Sequence, residues 1–186
     1  MKQKTFDMKQ KAVWKPLAAI VVIAVLLFGT SQGLAALEEK YAQQELDIML
    51  HNLLPGSVTF AEEPYTGEDT NIRTVYKAEN GFVIETVTAG YAGDITMLVG
   101  VSSEGTVTGL VIRQMSETFG LGAKALNDVD FLAQFLNTSG EAEVGTNVDA
   151  ISGATVTSKA VTRSVNSAVA FVTGADVSSG ATSWGG

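Results

Sequence analysis

The pattern D-x-x-S-G-A-T occurs twice in this chain, as DAISGAT (Asp149 to Thr155) and as DVSSGAT (Asp176 to Thr182). Each copy closes on a threonine hydroxyl preceded by Gly and Ala, which carry almost no side chain and let a bulky group approach the backbone. The first copy leads into TSKAVTRSVNSAVAFVTG, where Val161, Val165, Ala168 and Val172 recur at steps of 4, 3 and 4, the stripe of an amphipathic helix. Thr157 or Ser158 is the expected N-cap of that helix and Gly174 its expected stop. Thr155 then precedes the unpaired backbone N–H groups of a helix N-terminus, a place that favours an anion and above all a phosphate. Lys159 and Arg163 fall in the first turns, where the helix dipole disfavours cations; a bound phosphate would offset that, and two surface charges read equally well. On the residues alone the segment is either a phosphate site or a capped loop. The second copy is followed only by SWGG, which offers no scaffold for a ring system.

Other chemistries are poorly supplied. The chain has no Cys, which removes disulfides, lipid-modified cysteine anchors and ordinary iron–sulfur clusters. Its one histidine, His51, sits in DIMLHNLLPG near a helix end, and one histidine makes neither a multi-histidine metal site nor a haem site. A Ser or Thr hydrolase needs a general base within hydrogen-bonding reach, and a lone His near the N-terminal apolar segment is badly placed for that. If the chain moves electrons, a non-metal cofactor must carry them.

The elements that would position the motif read as an α+β domain, an antiparallel sheet packed with a few helices. TVYKA, GFVIETVTAG and DITMLVGVSSEGTVTGLVIRQ are rich in Val, Ile and Thr and are punctuated by Asn80-Gly81 and Glu104-Gly105 turns. Ile95, Met97, Val99 and Val101 share one strand face. KALNDVDFLAQFLN reads as a helix, with Phe131 and Phe135 one turn apart as core residues and Leu132 and Leu136 beside them. AEVGTNV reads as a strand end before the first motif. Upstream, Ala42, Leu46, Met49 and Leu53 mark an amphipathic helix that Pro55-Gly56 stops.

The N-terminus adds a membrane element. Leu17 to Leu37 is 21 residues without a charge, about 31 Å as a helix against a hydrocarbon core of about 30 Å. A cleaved signal peptide competes with this reading, since the strictly apolar run ends at Gly29; smooth continuation into a helical pattern favours a retained anchor. Five lysines against Asp7 give the preceding tail +4, which places it in the cytoplasm and the remainder outside. From Glu38 onward 7 basic and 19 acidic residues leave −12 of charge, a poor nucleic-acid binder. The expected organisation is a basic tail 1–15, a transmembrane helix 16–37, a juxtamembrane helix 38–56, a folded domain 57–174 and a flexible tail 175–186.

D-x-x-S-G-A-T is similar to the recognition sequence of flavin transferases that join FMN through its phosphate to the closing threonine. With a membrane span before it, the chain resembles the FMN-binding G subunits of Rnf electron-transport complexes; the C subunits of sodium-pumping NADH:quinone reductases are a close second. GYAGDITMLVGVSSEGTVTGL (Gly90 to Leu110) is similar to the family's sheet signature, and ETFGLGAK (Glu117 to Lys124) to its E-T-P-G-L-G loop, with Phe119 in place of the usual Pro. The resemblance implies an electron-carrier subunit of an ion-translocating ferredoxin:NAD oxidoreductase, with FMN as a phosphoester on Thr155. It implies that Ser152, Gly153 and Ala154 present that threonine and that Asp149 serves transferase recognition or loop geometry. Glu117, Thr118, Gly120, Leu121 and Gly122 would border the flavin, and Lys124 would contact its phosphate or ring. Thr182 becomes a possible second attachment point. The implied partners are a flavin transferase and the other membrane and redox subunits of the complex; the same domain without flavin, as a tethered binding module, is the remaining alternative.

Overall fold

Four Val-, Ile- and Thr-rich segments and the short stretch AEEP pair with their chain neighbours, so each connection is short. In the computed structural model, which describes residues 37–115 and 128–175, they form one antiparallel sheet in chain order: β1 (Ala61–Pro64), β2 (Ile72–Ala78), β3 (Gly81–Ala89), β4 (Asp94–Ser102) and β5 (Val107–Met115). The described helices are α1 (37–53), α2 (Val129–Ala133) and α3 (Thr155–Thr173). The chain divides into two units, Met1–Leu46 and Asp47–Gly186. Only residues 37–46 of the first are described, and these are helical.

The core lies between one sheet face and α3. Ile95, Met97, Val99 and Val101 all turn to that side, fully buried, and meet Ala160, Val161, Val165 and Ala168 of the helix. Phe131 and Phe135 close the same cluster with their rings edge to face, 5.5 Å between centroids. A buried polar seam runs beside it: the Thr88 hydroxyl lies 3.1 Å from the Ala160 carbonyl and 3.0 Å from the Ser164 hydroxyl. The opposite sheet face is also covered, since Val83 and Leu98 are fully buried. There the Thr108 hydroxyl donates to the Leu53 carbonyl, and Gly100 leaves room for that approach: a Cβ on it would stand 2.3 Å from the Leu53 oxygen. Leu50, Leu53 and Leu54 are buried at the end of α1, and Pro55-Gly56 follow as a turn.

The α+β class and antiparallel sheet agree with the sequence reading, and two local expectations change. The helix expected over 124–137 is α2, only Val129–Ala133, with residues 134–137 in turns and 124–127 outside the described residues. It ends early because the Asn137 N–H donates to the Val107 carbonyl and the Val107 N–H to Thr138, which pulls the chain alongside the start of β5. Leu136 is consequently 40 % exposed. AEVGTNV is not a strand: Val144 and Val148 form an isolated bridge around a turn at Gly145 (φ +89°). β1 had no alternation to announce it, since all four of its residues are exposed. Among the described residues no helix is long and apolar enough to cross a membrane; the expected span lies outside them except for Leu37.

Candidate functional site

Thr155 is the first residue of the 19-residue helix α3, and it is exposed. The helix starts three to four residues earlier than expected, so Thr157 and Ser158 are buried in its first turn and are not its N-cap. The N-cap is Ala154, and no side chain caps the helix. A helix start without a side-chain cap presents the positive end of the macrodipole and its backbone donors to whatever approaches.

The turn before Thr155 follows from its small residues. The Ala154 N–H donates to the Ile151 carbonyl at 2.9 Å, and Gly153 has φ +80°. A type II turn requires such a positive φ at its third position, and a Cβ there would be strained. Ala154 is 6 % exposed, so its methyl is buried against the protein. Ser158 locks the turn from inside the helix: its Oγ accepts the Ile151 N–H at 3.1 Å and donates to the Ala154 carbonyl at 3.0 Å.

The Gln134 amide holds the first residue of the motif, and two other amides hold the chain well before it. Gln134 accepts the Asp149 N–H at 2.7 Å and donates to the Asp149 carbonyl at 3.3 Å. Asn166 pairs in the same way with Ala142, at 2.9 and 2.8 Å. Asn147 accepts from the Glu143 N–H at 2.7 Å and donates to the Glu141 carbonyl at 3.0 Å. Both bonds between Gln134 and Asp149 use the Asp149 backbone; Asp149, Ser152, Gly153 and Thr155 are all exposed.

The two cations early in α3 separate. Lys159 is exposed and lies one turn beyond Thr155, on the same helix side. Arg163 is partly buried and donates to the Ala89 carbonyl at 2.7 Å, so it caps the end of β3. Burial lowers its pKa.

A groove of about 350 Å³ runs along the outer half of β5, lined by Leu110 to Met115 with Val129 and Leu132 of α2. Its walls are mainly aliphatic, with the Arg113 guanidinium held 3.0 Å from the Glu85 carboxylate. Helix α2 thus borders both features: Leu132 lines the groove, and Gln134, its C-cap, holds Asp149. His51 is elsewhere, at a helix end as expected, its Nδ1 2.8 Å from the Asp47 carbonyl and its ring edge-on to Phe60 at 5.1 Å. Among the described residues no group of three or more His, Cys, Asp or Glu could hold a metal.

Asp149 and Ser152 to Thr155 therefore lie along one short segment that runs from a loop through the Ile151–Ala154 turn to the first residue of α3. Glu117, Thr118, Phe119, Gly120, Leu121, Gly122, Lys124 and Thr182 lie outside the described residues. The sequence reading missed Gln134 and the groove, and took Ser158 for a cap. Nothing local marks a glutamine 15 positions before the residue it holds, whereas the small-residue turn could be read directly.

Comparison with known proteins bears on this site. The FMN-binding domain family matches residues 90–170. The G subunit of an ion-translocating oxidoreductase complex from Methanosarcina acetivorans is 31% identical over 182 residues, covering 85% of this chain and 95% of that protein. Its counterpart in the Na(+)-translocating ferredoxin:NAD(+) oxidoreductase complex of Acetobacterium woodii is 41% identical over 103 residues, 48% of this chain and 47% of that protein. The G subunit of the proton-translocating ferredoxin:NAD(+) oxidoreductase complex of Clostridium ljungdahlii is 38% identical over 110 residues, 53% of this chain and 59% of its own length.

Proposed function

Because the chain belongs to the G subunits of ion-translocating oxidoreductase complexes, we propose that it relays electrons in a ferredoxin:NAD oxidoreductase of this kind through an FMN esterified to Thr155. The observation that carries the attachment point is the exposed Thr155 hydroxyl at a helix start that no side chain caps, behind a turn of minimal side chains.

The residues present fit the group. FMN, when bound, supplies the redox chemistry, taking up two electrons and releasing them singly. The chain's part is to hold it. Thr155 gives the ester oxygen, and Gly153 and Ala154 keep the space beside it clear. A phosphate diesterified in this way retains one negative charge, which the N-terminus of α3 favours by about 0.3–1 kcal/mol at an exposed position. Lys159, on the same side of the helix, adds a second favourable charge. Ser152 helps present Thr155, Asp149 serves recognition by the flavin transferase or loop geometry, Glu117, Thr118, Gly120, Leu121 and Gly122 border the flavin, and Lys124 contacts its phosphate or ring. The groove beside β5 has the volume and aliphatic lining usual for a small-molecule site.

Residues 16–37 anchor the chain in the membrane, with 1–15 in the cytoplasm, 38–56 as the juxtamembrane helix, the domain 57–174 outside and 175–186 as its tail. No substrate site is needed on this subunit: electrons come from and pass to cofactors of neighbouring membrane and redox subunits. A covalent bond suits a domain outside the cell membrane, where lost FMN would not be replaced.

The test is co-expression with a flavin transferase followed by denaturing electrophoresis. Flavin fluorescence should stay with the wild-type band and vanish in Thr155→Ala. Full retention in that variant would overturn the proposal.

A further inference from the structure

Resting on that reading of Thr155, we infer that Gln134 and Ser158 are positioning residues for flavin attachment, holding the Asp149–Ala154 turn in the shape from which the transferase takes up the threonine. Transfer from a flavin adenine dinucleotide breaks the donor's phosphoanhydride bond and forms the bond between Thr155 Oγ1 and phosphorus. AMP leaves with the remaining phosphate, and the hydroxyl proton is released. The reaction therefore needs the Thr155 oxygen held in line with one phosphorus atom, and positional demand of this kind is met by a preorganised acceptor.

The turn cannot be ordered by burying apolar surface. Of Asp149 to Thr155 only Ala154 is buried and Ile151 half-buried; the other five residues are exposed. Ordering such a backbone costs about 1–2 kcal/mol per residue, and hydrogen bonds at its two ends are what offset that here. At the front, one glutamine side chain takes both the N–H and the carbonyl of Asp149, at 2.7 and 3.3 Å. At the back, one buried serine takes the Ile151 N–H and the Ala154 carbonyl, at 3.1 and 3.0 Å. Both holders are themselves fixed. Gln134 caps α2 between Phe131 and Phe135, which are 2 % and 0 % exposed, and Ser158 is 0 % exposed inside α3. The geometry of the core is thereby carried to the exposed threonine from two sides, by residues that need not touch flavin.

A holder of this kind acts on the acceptor's ground state. Its loss lets the turn sample many shapes, of which few are taken up, so the apparent affinity for the transferase falls by the fraction still competent. Chemistry on the bound acceptor is unaffected. Asn166 supplies the control, since it makes the same two-bond amide pairing with Ala142 at a distance in sequence from the turn.

The experiment measures flavin transfer from the dinucleotide to the purified flavin-free full-length chain, varying the chain's concentration. Gln134→Ala and Ser158→Ala should each raise KM roughly tenfold, the effect of losing one or two net hydrogen bonds, with kcat unchanged within about twofold. Gln134→Glu, which keeps an acceptor for the Asp149 N–H, should recover part of the loss. Asn166→Ala should lower the melting temperature yet leave KM alone. A KM in Gln134→Ala equal to wild type, faster transfer in that variant, or an equal rise in Asn166→Ala would each overturn the inference while the wild type still takes flavin on Thr155. A wild-type chain that takes no flavin there would remove the attachment reading and this one with it.

Discussion

Replacing Ser158 by Ala isolates one buried hydroxyl whose removal strands a backbone donor. Ser158 is 0 % exposed, and its Oγ is the acceptor of the Ile151 N–H at 3.1 Å. The Ala154 carbonyl loses the hydroxyl at 3.0 Å but keeps the Ser158 N–H at 2.9 Å, so only the Ile151 donor is left without its partner. Stranding a buried donor costs about 1–3 kcal/mol, and Ile151 is half-buried, which points to about 1–2 kcal/mol. Ser164→Ala is the matched comparison. Ser164 is also 0 % exposed, but its partner, the Thr88 hydroxyl, keeps the Ala160 carbonyl at 3.1 Å. That change should cost under about 1 kcal/mol. Both swaps gain the same helix propensity, about 0.5 kcal/mol, which cancels between them. Urea unfolding with equal m-values gives the two costs directly, and amide exchange at Ile151 should quicken only in Ser158→Ala. A cost in Ser158→Ala no larger than in Ser164→Ala would refute the reasoning.

Three further outcomes follow from the geometry. Gly100→Ala places a Cβ 2.3 Å from the Leu53 oxygen and 2.9 Å from its carbon, so the end of α1 must shift; the expected loss is about 1–3 kcal/mol in thermal unfolding, and an unchanged melting temperature would contradict it. His51 should titrate above its ordinary value near 6.5, because the Asp47 carbonyl accepts from its ring and the Asp47 carboxylate stands nearby, outweighing desolvation. A raised folded-state pKa means that its contribution to stability is complete below about pH 6.5 and fades as pH rises through the folded value. Proton NMR of the ring checks the midpoint, and His51→Gln should remove that pH dependence; a midpoint at or below 6.5 would count against the assignment. Because the chain has no Cys, a membrane-impermeant maleimide can report its orientation in intact cells. It should label Glu104→Cys and spare Lys4→Cys, and the reverse pattern would invert the proposed topology.

Local chemistry was legible where local chemistry decides the structure. Asn80-Gly81 and Glu104-Gly105 marked two of the turns of the meander, and the alternation through Ile95, Met97, Val99 and Val101 gave the core face of β4. The small residues of DAISGAT announced a turn before a helix. What stayed hidden depends on contacts distant in sequence. α2 stops because Asn137 and Thr138 pair with Val107, about thirty positions earlier. Ser158 looked like a cap since serines often are, yet burial in the first turn gives its hydroxyl another task, gripping the Ile151–Ala154 turn. Arg163 looked like a phosphate cation and is occupied by the Ala89 carbonyl. β1 is four exposed residues paired with β2, so no hydrophobic pattern could reveal it.

The repeated motif makes the central claim directly measurable. Protein purified from cells that contain a flavin transferase is digested, and each flavin-bearing peptide is sequenced by mass spectrometry. The account predicts one FMN phosphoester on the peptide containing Asp149 to Thr155, carried by Thr155, and its persistence in Thr182→Ala. Flavin found only on the peptide of Asp176 to Thr182, or on neither, would contradict it.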